Sequence, residues 1–186
     1  MIERLDRYRE VDIRFVRNGK YLYKSKMIHV IQLDHYSLDE RMAVAALFIE
    51  LIWREAKKNR RRYDFLVLDE LHLLSKFYGG LSGSCVDTIL RESRRYGLRP
   101  LLLSQLVYSF SSEDVEILNQ VGFKIMFRAT PKEAKKMAKE FEDNYEEWEK
   151  ILKNLNKGEC VIKGIYRVNN KTLCNVPIVC KVVNRK

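Results

Sequence analysis

Hydrophobic positions along this chain change their period several times, and each change predicts an element. Val11-Asp12-Ile13-Arg14-Phe15-Val16-Arg17 and Lys20-Tyr21-Leu22-Tyr23-Lys24 alternate around Asn18-Gly19. An Asn-Gly pair supplies the two positive φ angles of a type I′ turn, so this stretch predicts a β-hairpin. Residues 27–33 form a short apolar run rich in β-branched side chains and predict a strand. From Leu38 the spacing lengthens. Leu38, Met42, Ala45, Phe48, Leu51 and Ile52 recur every three or four positions behind a Ser37/Glu40 capping pair. That is the stripe of an amphipathic helix, and its basic end at 57–62 suits the helix dipole.

Phe65-Leu66-Val67-Leu68 and Leu101-Leu102-Leu103 are continuous apolar runs. Such runs predict strands covered on both faces, as in parallel sheets flanked by helices. Between them lie a Gly/Ser loop at 79–84 and a helix at 86–96 stopped by Gly97. A short helix at 114–120 and a strand at 122–128 follow. Thr130-Pro131-Lys132-Glu133 is a complete helix start, with a cap, a proline at the first position and an acid three after the cap. That helix is predicted to run to about 142. A second helix carries Trp148, Ile151, Leu152 and Leu155, and strands at 160–167 and 172–183 flank Asn169-Asn170. Strands alternating with helices predict an α/β fold with a mostly parallel sheet flanked by helices, plus terminal β-hairpins. We divide the chain into an N-terminal hairpin extension, 1–27, and a main domain, 28–186.

Composition narrows the function classes. The chain has 186 residues, 46% of them hydrophobic, which is enough for a packed core without disulfides or metals. The longest apolar run, from Met42 to Ile49, is far short of the ~20 residues of a membrane span. The charged start, Met1 to Arg7, does not read as a secretory signal. The four cysteines, Cys85, Cys160, Cys174 and Cys180, have no C-x-x-C spacing, so reduced thiols in a cytoplasmic protein are expected rather than a zinc site. Lys and Arg exceed Asp and Glu by 35 to 25, a formal charge of +10. Arg14, Arg17 and Lys20 in the first hairpin, and Lys58, Arg60, Arg61 and Arg62 in one run, are candidates for sequence-independent contact with DNA phosphates. The same charges equally suit a solvated surface.

The sharpest chemical signal is Phe65-Leu66-Val67-Leu68-Asp69-Glu70. It sets two carboxylates at the C-terminal end of a buried strand, the edge where open α/β sheets bind ligands. Gln105 ends the next apolar strand. The chain here resembles the HerA/FtsK superfamily of DNA-translocating P-loop ATPases, which includes conjugative and type IV secretion ATPases. The resemblance rests on Asp69-Glu70-Leu71-His72, on Glu92-Ser93-Arg94-Arg95-Tyr96-Gly97, on Ser104-Gln105 and on the strand 119–128, and covers roughly residues 28–165. It implies a partial RecA-like core. Asp69 would hold Mg²⁺ through water, Glu70 would be the general base, and Gln105 would sense the γ-phosphate. Arg94 would reach a neighbouring subunit, with Arg91, Arg95 and Arg99 as alternatives. It further implies ATP and Mg²⁺ as cofactors of a complete parent, DNA as partner, and a homo-oligomer, in the parent a hexameric ring.

One departure is decisive for this chain alone. G-x-x-x-x-G-K-S/T does not occur; Gly19-Lys20 is followed by Tyr21 and the 79–84 loop has no lysine. Without that loop no backbone nest cradles the phosphates. The chain therefore matches the Walker B and sensor half of an ATPase core. Neither ATP nor Mg²⁺ is expected to bind it tightly. Two alternatives compete: a non-catalytic DNA-binding or assembly subunit, and a small α/β nuclease using Asp69 and Glu70 with a metal.

Overall fold

A computed structural model describes residues 30–33, 35–58, 64–141, 144–168 and 170–182. The expected hairpin at 11–24 lies outside these residues, as do Arg14, Arg17, Lys20, Arg60, Arg61 and Arg62. The strand expected at 27–33 is not seen where it is described: residues 30–33 are irregular, and no neighbouring strand pairs with them among the described residues.

Helix α1 (Leu38–Lys58) begins where the capping pair predicts, with the Ser37 amide and hydroxyl donating to Glu40 Oε2 at 2.8 and 2.6 Å. It buries Ala43, Ile49 and Trp53. Strand β1 (Asp64–Leu68), helices α2 (Leu71–Tyr78) and α3 (Cys85–Glu92), a 3₁₀ turn (Ser93–Tyr96) and strand β2 (Leu98–Leu102) follow. β1 and β2 pair in parallel from Asp64 opposite Leu98 to Leu68 opposite Leu102. Ile49, Trp53, Leu66, Leu68, Leu71, Leu81, Val86 and Ile89 form the first core on one face of this pair. The other face is open, contrary to the expectation of double burial. Leu66 and Leu68 are 7% and 8% exposed, but Phe65 and Val67 are 67% and 56% exposed, and Leu101 50%. The side chains alternate because no described element packs on the second face.

The second half is built differently. A 3₁₀ turn (Val107–Ser109) and α4 (Ser112–Leu118) lead to β3 (Phe123–Phe127). Helices α5 (Pro131–Ala138) and α6 (Tyr145–Asn154) precede β4 (Glu159–Val168), β5 (Lys171–Cys174) and β6 (Ile178–Lys181). β3 does not extend the parallel pair. It runs antiparallel to β4, which also pairs antiparallel with β5 and β6. The terminal strand expected at 172–183 is two strands, broken at Asn175 (φ 57°) and Pro177, whose ring removes a ladder donor. α5 ends at Ala138, short of the predicted 142. Met126, Ala134, Ala138, Phe141, Leu152, Leu155 and Val161 make a second core, with Phe141 stacked on Trp148 at 4.6 Å.

The Gly/Ser loop is held rather than free. Asp114, 2% exposed, accepts from the Leu81 amide at 2.6 Å and the Ser75 hydroxyl at 2.8 Å, and closes a capping box with Ser111 at the start of α4. Burial works against its charge, but these bonds prevail and hold the carboxyl below its ordinary range. Leu81, at the loop's centre, is fully buried.

Candidate functional site

The parallel pair brings the acidic box and the sensor strand together at one edge. Beyond Leu68 the ladder continues: Leu103 N donates to Leu68 O, and Leu71 N to Leu103 O, each at 2.9 Å. Asp69 and Glu70 form the corner between β1 and α2. Glu70 takes left-handed φ and ψ of 52° and 45°, a costly conformation for a residue with a Cβ. Asp69 Oδ1 accepts from the Glu70 amide at 2.9 Å, which helps fix the corner.

This corner aims the Glu70 side chain at the end of β2. Gln105 Nε2 donates to Glu70 Oε1 at 2.7 Å. His72 Nδ1 lies 3.2 Å from Glu70 Oε2 and 3.2 Å from Ser104 Oγ. Glu70 Oε2 is buried and has no well-aligned hydrogen bond. The result is a carboxylate pinned by one side-chain amide and flanked by an imidazole, with one oxygen short of a donor.

Asp69 is exposed, and one of its oxygens is not used by the corner. Mg²⁺ keeps several waters and takes one or two carboxylates together with substrate phosphates. Asp69 fits that outer-shell role. Among the described residues no group of three or more His, Cys, Asp or Glu side chains is placed to hold a metal by itself.

The predicted arginine is elsewhere. Arg94 sits exposed in the 3₁₀ turn before β2, at the opposite end of the strand from Gln105. A five-residue strand separates them, about 16 Å, so Arg94 does not reach Glu70 of its own chain. Arg95 is exposed in the same turn, Arg91 is paired with Asp87 at 2.6 Å, and Arg99 lies over the Phe65 ring at 5.6 Å. Lys58 is exposed at the end of α1. No sequence-local rule places His72 against Ser104, because they are 32 positions apart and meet only once β1 and β2 are in register. Their one sequence signal is adjacency to the two motifs.

No family model matches this chain, and no curated protein does. Among solved structures, it is similar to the genome packaging NTPase B204 from Sulfolobus turreted icosahedral virus 2, determined in complex with AMPPCP. The TM-score is 0.54 at 22% identity, covering 74% of this chain and 62% of that one. The chain thus spans less than two thirds of that protein's length. Its α/β fold, in which Asp69, Glu70 and Gln105 follow the C-terminal ends of one parallel strand pair, is similar to the fold of that NTPase.

Proposed function

We propose that this chain is the Walker B and sensor half of an ATP-driven DNA motor of the HerA/FtsK type. The observation that carries the reading is the Glu70–Gln105 hydrogen bond across the C-terminal edge of the parallel pair. In this reading Glu70 accepts the proton of the attacking water, and Gln105 orients Glu70 and reads the γ-phosphate. His72 and Ser104 keep the Glu70 carboxylate in place, and Asp69 holds Mg²⁺ through water. When bound, the metal supplies charge neutralisation at the phosphates. The phosphate cradle is furnished by a separate polypeptide segment. Arg94, remote from its own Glu70, serves the site of a neighbouring subunit in a ring, and the ring moves DNA. The structural neighbour's bound AMPPCP and its packaging role support an ATP-type nucleotide and a DNA substrate.

Calorimetry of this chain with ATP and Mg²⁺ tests the division of labour. Binding no tighter than the millimolar range, about −4 kcal/mol, is expected where the cradle is missing. Micromolar binding would show that a phosphate site exists within these residues and that the half-site reading is wrong. The absent P-loop also favours a second reading, an assembly or DNA-binding subunit without catalysis. Addition of a P-loop segment decides between them, since only the first reading predicts that hydrolysis appears.

A further inference from the structure

A cavity of about 740 Å³ opens between α4, α5 and the β3–β4 pair, away from the Glu70 edge. Six lysines line it: Lys124, Lys132, Lys135, Lys136, Lys139 and Lys163. Glu140 is the one acid among its lining residues, so the lining carries a net charge of +5. Its lining contains neither arginine nor an aromatic ring. The lysines fall into two sets. Lys124 pairs with Glu140 and bonds Asn119 at 2.8 Å, Lys163 donates to the Glu140 carbonyl, and Lys136 donates to the Phe110 carbonyl. Lys132, Lys135 and Lys139 are exposed and meet no acceptor among the described residues.

We propose that this cleft is a nucleic-acid backbone site, with Lys132, Lys135 and Lys139 as the phosphate contacts. The three share one face of the α5 segment at spacings of three and four residues and span about 10 Å. One strand of a duplex sets phosphates about 3.4 Å apart along the axis, so three fit that stripe. Point-charge ammonium groups without stacking rings or bidentate forks suit contact with a backbone and give no readout of bases. Clefts lined by one sign of charge concentrate the field, which favours a polyanion over a flat surface of equal charge. The site is also joined to the chemistry. Glu133, on the same helix, accepts from the Tyr108 amide at 2.9 Å, and Lys136 holds the Phe110 carbonyl, both in the segment just after Gln105. The choice of nucleic acid as the polyanion rests on the proposed function; the location rests on the lysines alone.

The test is binding of the full chain to a labelled single strand and a labelled duplex of mixed sequence, between about 50 and 200 mM salt. The triple variant Lys132→Gln, Lys135→Gln, Lys139→Gln should bind at least tenfold more weakly, with the slope of log K against log salt reduced by about 2 to 3. A second triple variant, Lys76→Gln, Lys150→Gln, Lys157→Gln, removes the same charge from exposed positions outside the cleft and should keep the slope within about 1 of the parent. Melting curves of both variants confirm folding. Equal weakening by the two triples would reduce the effect to net charge and overturn the proposal. So would loss of tripolyphosphate binding, or of binding to phosphatidylserine vesicles, in the cleft variant while DNA binding stays intact. If the parent chain binds no nucleic acid even at low salt, the DNA part of the functional reading falls as well. If it binds and the cleft variant binds equally, only this location falls.

Discussion

The two halves of this molecule gather their polar groups by opposite routes. In the parallel half, β1 and β2 are distant in sequence, and pairing them brings Glu70, His72, Ser104 and Gln105 to one edge through bonds of 2.7 to 3.2 Å. Each of these groups is present once and has no substitute. In the antiparallel half, the polar feature is instead a row of like charges along a helix flank. There each lysine repeats its neighbour. The first arrangement should break with one substitution, whereas the second should weaken by degrees.

The largest expected effect is at Glu70. Joined to a P-loop segment, Glu70→Gln should lower ATP turnover about 10²–10⁴-fold, with nucleotide affinity nearly unchanged. Single-turnover and binding measurements separate the two quantities. Near-normal turnover would make Glu70 a strand-end corner and nothing more.

Next is Asp114, at the start of α4, whose carboxylate holds Ser75 and Leu81 of the parallel half. Asp114→Ala strands the Leu81 amide and the Ser75 hydroxyl in a buried site and should cost about 3 kcal/mol or more. The two tryptophans report on the halves separately: Trp53 is buried in the first core and Trp148 packs on the second. Urea unfolding followed at each tryptophan in turn, with the other replaced by phenylalanine, should show the loss at Trp53. Loss of equal size at both sites would mean that the halves unfold as one unit.

Acid should act at the same place. The folded pKa of Asp114 lies below its unfolded value of about 3.9, so its contribution is complete above that value and is lost as pH falls through the folded pKa. Asp114→Asn should remove that share of the acid dependence; an unchanged pH profile would assign acid unfolding to other carboxylates.

The smallest effect is in the cleft. Lys135→Gln alone should weaken DNA binding only a few-fold and lower the salt slope by about 1. A hundredfold loss from this one change would mean that the lysines are not interchangeable, and the contrast between the halves would fail.

Much of the parallel half could be read from sequence because its signals are local. The apolar run ending in Asp69-Glu70, the Ser37/Glu40 cap and the Gly97 stop each act within a few residues, and each falls where the structure has an edge, a helix start and a turn. What escaped depends on partners far along the chain. Phe65 and Val67 are as apolar as Leu66 and Leu68, so composition could not tell the covered face from the open one. Glu133 has the position of a capping acid, yet its carboxylate binds the Tyr108 amide 25 residues away. Lys132, Lys135 and Lys139 carry no local signal that sets them apart from other lysines; β3, β4 and α4 are what form a cavity beside them.

The Glu70–Gln105 contact joins positions 35 apart, and no shorter stretch of chain contains a version of it. It closes only with the intervening α2 and α3 folded back and β2 in register, so its formation carries the loop entropy of the whole intervening stretch. The amides of Leu71 and Leu103, which lock the corner to β2, therefore report on that closure. Their hydrogen exchange should follow the slowest opening of the parallel pair, and any partially folded form that lacks their protection should lack the carboxylate–amide pair as well.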